Sequence, residues 1–113
     1  MRNRTSVGSE LLPGTLEVLI LKTLARGPAH GYAIARHLER VSADVLRVGE
    51  SSLYPALQRL LANDWVRAEW RQSELKRRAR VYRITPAGRK RLAQEAEEFA
   101  RMAGAITTIL EGT

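Results

Sequence analysis

Hydrophobic spacing in this 113-residue chain changes twice, and the two changes limit the elements it can form. Up to Asn63 and Asp64 the apolar residues recur at helical intervals, from Trp65 to Ile84 they alternate, and after Thr85 and Pro86 they return to helical intervals. The expected order is therefore helices, a hairpin and a final helix, a mainly α architecture.

The first helix is expected after Gly14 and Thr15, with Thr15 capping its start and Leu16, Leu19, Ile20 and Leu24 on one buried face. Val18 and Leu21 widen that face, so burial on more than one side follows, and Gly27 and Pro28 end the helix. A second helix runs from about His30 to Ser42, with Ile34, Leu38 and Val41 inward and Arg36, Glu39 and Arg40 outward. The third begins at the capping residues Ser51 and Ser52. It buries Leu53, Leu57, Leu60 and Leu61 and turns Pro55, Gln58, Arg59 and Ala62 outward.

Trp65 to Trp70 and Arg80 to Ile84 read as two strands joined by a polar, basic loop. Trp65, Trp70 and Tyr82 are expected to pack beneath this hairpin. Thr85 supplies a capping hydroxyl and Pro86 suits the first helical position of the last element. There Leu92, Ala96, Phe99, Ala103, Ile106 and Leu110 step by fours and threes, a heptad seam rather than a broad stripe. At 1.5 Å per residue such a helix is ~36 Å long, more than a three-helix body can cover. The seam is accordingly expected to meet a second copy of the chain, making a homodimer, with packing back on the first helix as the alternative.

Length allows one domain: a flexible arm over 1–12, a main folded unit over 13–85 and a dimerisation helix over 86–113. Cysteine is absent, which removes disulfides, thiolate nucleophiles and cysteine-based metal sites. His30 and His37 stand seven apart without further ligand types nearby, so no metal is expected. No nucleophile has a matched base, no glycine loop cradles phosphate, and Glu97 and Glu98 fall on the solvated side of the last helix. The reading is of a non-enzyme without cofactor. No apolar run reaches the ~20 residues that cross a bilayer, and the first residues lack a secretory stretch, so a cytoplasmic protein without a membrane partner is expected.

Net charge is +7, and its location is informative. Residues 67 to 91 hold ten basic residues against Glu69 and Glu74, whereas the remaining chain holds nine basic and ten acidic. One segment thus carries an electrostatic footprint suited to a polyanion. Three helices followed by a basic hairpin form a winged helix-turn-helix. Its third helix fits a DNA major groove ~12 Å wide, while the hairpin neutralises phosphates. Within that helix Gln58 pairs with adenine and Arg59 forks to guanine or phosphate, with Ser51, Ser52 and Tyr54 near the helix start where phosphate contacts are common. Lys76, Arg77, Arg78 and Arg80 supply the hairpin's phosphate contacts. Tyr54 is left between packing on the core and touching phosphate.

Four stretches carry a family resemblance: Gly14-Thr15-Leu16-Glu17, His30-Gly31-Tyr32-Ala33-Ile34, Ser52-Leu53-Tyr54-Pro55-Ala56-Leu57 and Arg80-Val81-Tyr82-Arg83-Ile84-Thr85-Pro86-Ala87-Gly88. In these the chain resembles the PadR family of bacterial transcriptional regulators, in its shorter form with a single C-terminal helix. The resemblance implies a homodimeric repressor on double-stranded DNA, with a small-molecule effector as a further expected partner. Its last helix holds Phe99 and no tryptophan, so no effector site is assigned. An interaction module for protein or RNA on the same fold is the alternative.

Overall fold

The structure is a computed structural model that describes residues 13–72 and 78–112. The arm expected over 1–12 and the hairpin residues Lys76 and Arg77 lie outside the described residues. Element order is α1 (Pro13–Leu24), β1 (Ala29–His30), α2 (Gly31–Val41), α3 (Glu50–Ala62), β2 (Val66–Gln72), β3 (Arg78–Ile84) and α4 (Pro86–Leu110).

Two helix starts fall earlier than expected. α1 opens on Pro13, whose fixed φ and missing N–H suit a first helical position, so Thr15 lies inside the first turn and not at the cap. α3 opens on Glu50, with Gly49 as N-cap and no side-chain cap, and the amides of Ser52 and Leu53 reach the Gly49 carbonyl at 3.1 and 2.9 Å. Glu50 in the first turn favours the positive end of the helix dipole. Ser51 and Ser52 are therefore helical residues, free of a capping role.

The sheet has three antiparallel strands in the order β1-β3-β2, where the apolar alternation shows two. β1 pairs Ala29 with Tyr82 and His30 with Val81. A two-residue strand is too short to show a period, and it exists because β3 offers a free edge. That edge strand leads straight into α2 and so fixes the first turn of α2 against the hairpin.

Leu16, Ile20, Leu24, Ile34, Leu38, Leu53, Leu57 and Leu60 from the first three helices meet Val66, Tyr82 and Ile84 from the hairpin in one core. Trp65 packs partly buried against it. Trp70 does not: it is 57% exposed. It shares a hairpin face with Val66 and Ala68 but lies past the edge of the helical body, where Arg78 and Arg80 stack on it with guanidinium carbons 4.8 and 5.8 Å from the ring centre. Val41, expected inward, is exposed in the last turn of α2.

α4 starts as expected. Thr85 Oγ1 accepts from the Gly88 amide at 2.9 Å and donates to the Asp64 carbonyl at 2.8 Å, joining the helix start to the turn before β2. Leu92 packs against the chain's own core. Beyond it Glu95, Glu98, Phe99 and Met102 line a groove with Gly14, Thr15 and Val18 of α1, and Phe99, Met102, Ile106, Ile109 and Leu110 are exposed.

Candidate nucleic-acid interface

α3 buries Leu53, Ala56, Leu57 and Leu60, and this leaves Ser51, Tyr54, Pro55 and Gln58 as an exposed ridge on its far side. Pro55, the sixth residue of the helix, has no amide to offer the Ser51 carbonyl. The outward ridge is made of short polar and amphipathic groups, the type that reaches base edges without filling a groove.

Gln58 faces the hairpin across an open groove of about 490 Å³ that Arg67, Ala68 and Arg80 also line. Arg59 is placed differently. Its Nε donates to Glu17 Oε2 of α1 at 2.6 Å, with the carboxylate side chain mostly covered. This charge-assisted bond ties α3 to α1 and turns the Arg59 guanidinium toward the body. Of the two adjacent residues expected to touch bases, Gln58 lines the groove. Ser52 is half-buried on the flank.

Tyr54 shares both of its expected roles between two sides. Its ring lies against Gly31, where an added Cβ would come within 3.1 Å of the hydroxyl, and it remains 40% exposed. On its open side is a second cleft of about 370 Å³ lined by His30, Tyr32, Tyr54, Arg80 and Tyr82. Arg80 Nε is buried there without a hydrogen-bond partner, while its guanidinium carbon sits 5.8 Å from the centres of both Trp70 and Tyr82. His30 is the N-cap residue of α2 but gives it no side-chain bond; its Nδ1 instead lies 3.2 Å from the Arg80 carbonyl and braces the strand. Burial pushes the Tyr82 phenol up from its ordinary value, Arg80 opposing in part.

On the opposite hairpin face Glu69 neutralises part of the basic cluster. Its Oε1 accepts from Arg71 at 2.6 and 3.1 Å and from Arg83 at 3.2 Å. Those bonds, Arg83's first and then Arg71's, hold the Glu69 carboxyl below its usual range. Arg67 lies 3.5 Å from Asp64. Several arginines of the basic segment are thus already paired, whereas Arg78 and Arg80 stack on aromatic rings and keep their charge for a partner. Spacing alone does not single out Tyr32 or Arg67. Tyr32 belongs to the family-like stretch His30 to Ile34, and an exposed aromatic at the second residue of a helix is the signal that marks it.

Among the described residues no group of three or more His, Cys, Asp or Glu could hold a metal, and no helix is long and apolar enough to cross a membrane.

A family profile described as the transcriptional regulator PadR-like family matches residues 20–94. A transcriptional regulator of Mycobacterium tuberculosis is 39% identical over 85 residues, covering 73% of this chain and 76% of that protein. An uncharacterised 37.1 kDa transposon protein of Streptomyces fradiae is 46% identical over 90 residues, covering 80% of this chain, and this match spans only 24% of that protein's length. Among solved structures, a transcriptional regulator from Clostridium thermocellum superposes with a TM-score of 0.77 at 30% identity, covering 84% of this chain and 92% of that one.

Proposed function

The chain belongs to the PadR-like family of transcriptional regulators, and from that premise we propose that it is a cytoplasmic, homodimeric repressor that binds an inverted-repeat operator in double-stranded DNA. The observation that carries this reading is the juxtaposition of Gln58 on the exposed ridge of α3 with Arg80 across one groove, which Arg67 and its partner Asp64 also line. A helix that offers an amide beside cations on a hairpin has a base-reading element and a phosphate-holding element side by side.

In this reading α3 enters the major groove. Gln58 offers an acceptor and donors to an adenine edge, and Ser51 and Tyr54 meet phosphate near the helix start. The hairpin cations Arg78 and Arg80, with Lys76 and Arg77, add affinity without sequence information. Arg59 contributes by holding α3 at its angle to α1 through Glu17. The exposed side chains of Ala96, Phe99, Ile106 and Leu110, with the half-buried Ala103 between them, form the seam for the second copy, and Leu92 anchors the helix to its own body. Two α3 helices then face half-sites about one helical turn, ~34 Å, apart or a multiple of it.

The test separates the parts. Gln58→Ala changes which bases are preferred at one position of each half-site, while joint alanine replacement of Lys76, Arg77 and Arg78 weakens all duplexes alike and lowers the salt slope by about 0.9 for each phosphate no longer neutralised. Equal weakening on every sequence from Gln58→Ala refutes its reading role.

A further inference from the structure

α2 carries a second set of cations, outside the basic segment of the sequence. Tyr32, Arg36 and Arg40 are exposed at i, i+4 and i+8, one stripe opposite the buried Ile34, Ala35 and Leu38. Arg36 Nη1 donates to the Tyr32 hydroxyl at 3.0 Å, its guanidinium carbon 5.7 Å from that ring's centre. Beside the stripe, Arg26 Nη1 from the turn after α1 lies against the His37 ring, 2.7 Å from Nδ1, and Arg40 Nη2 lies 3.4 Å from the same nitrogen. The same Arg26 Nη1 is 3.0 Å from Nε2, and since arginine cannot accept, whichever ring nitrogen takes the bond does so as an unprotonated acceptor.

Among the described residues Arg26, Arg36 and Arg40 make no ion pair, whereas Arg59, Arg67, Arg71, Arg83, Arg91 and Arg101 each have a carboxylate partner. The α2 cations are instead held by a phenol and an imidazole, which orient them and leave their charge uncompensated. We propose that this face of α2, with Arg26, is a second phosphate-binding surface that takes the DNA backbone flanking the operator half-site. The surface is continuous with the interface above, since Tyr32 at its lower end lines the same cleft as Tyr54 and Arg80. From Tyr32 to Arg40 the helix rises ~12 Å, the length of about three base-pair rises along a duplex axis. An acidic protein surface would meet the same cations, but that continuity favours DNA.

The inference rests on the operator reading, and one experiment separates their failures. The duplex recovered by selection is prepared as the palindrome alone and with ten base pairs added on each side, and both are titrated at several salt concentrations. The wild-type chain is expected to bind the long duplex about tenfold more tightly at low salt and with a steeper salt slope. The combined Arg26→Ala, Arg36→Ala and Arg40→Ala variant loses that gain and keeps its affinity for the short duplex. A lysine version at the same three positions retains most of the gain, because phosphate binding needs charge. If wild type and alanine variant bind both duplexes identically, the surface serves another partner and the inference is overturned while the operator reading stands. Equal weakening on both duplexes also overturns it, by placing these residues inside the half-site interface or the fold. A wild-type chain that binds neither duplex overturns both.

Discussion

A Cβ added to Gly88 would lie 2.0 Å from the Trp65 carbonyl oxygen and 2.9 Å from Ile84 Cγ1. Helix propensity alone makes Gly→Ala favourable by about 1 kcal/mol. Contact with backbone has no flexible side chain to yield, so Gly88→Ala is expected to destabilise by about 3 kcal/mol, the upper end for overpacking. Urea unfolding decides the sign. A gain in stability would show that α4 is not seated on the turn before β2.

Glu69 holds Arg71 and Arg83 away from any external anion. Glu69→Gln is therefore expected to tighten binding to random-sequence duplex and steepen its salt slope by about 0.9 for each arginine that gains a phosphate. Fluorescence anisotropy across a salt series reads both. An unchanged slope would mean that these two arginines point away from DNA.

Burial first, and then the charges of Arg26 and Arg40, hold the His37 pKa below its ordinary 6.5. Between the lowered value and 6.5 the unfolded chain binds more protons than the folded one, so this group makes stability rise with pH through that window. Stability is expected to fall as pH drops below 6.5 and to level off once His37 protonates in the folded chain. An NMR titration should place the His37 midpoint under 6.5, and Arg40→Ala should move it upward. A wild-type midpoint at or above the ordinary value contradicts the arrangement.

Phe99, in the groove beside α1, is 50% exposed, and Ile106, farther along α4, is 49% exposed. In a dimer seam a carboxylate at either site is an unpaired charge in an apolar contact. Phe99→Asp and Ile106→Asp are each expected to shift the sedimenting mass from twice 12.7 kDa to the single-chain value, with helix content retained. A mass unaffected by both substitutions rules the seam out.

Much of the fold is legible because its signals are local. The switch at Asn63 and Asp64 marks the end of α3, and Thr85-Pro86 marks the start of α4 at the residue the structure uses. What stays hidden is set by contacts between distant residues. β1 has no period to show, and only the β3 edge makes it a strand. Trp70 sits in phase with core residues but beyond the body's edge, which alternation does not register. The site divides the same way: Gln58 is exposed as its helical phase requires, while the Arg59 partner lies 42 residues earlier in the chain at Glu17. The charge excess between residues 67 and 91 marks the basic hairpin but does not show that Glu69 and Asp64 occupy part of it, nor that α2 carries unpaired arginines elsewhere.

Selection from a pool of random duplexes with the full-length chain tests the central claim most directly. Enrichment of an inverted repeat is expected, its two arms spaced by about one turn of B-form DNA, ~34 Å, or a multiple of it. Recovery of unrelated sequences with no shared repeat, or no retention of duplex even in dilute buffer, would contradict that claim.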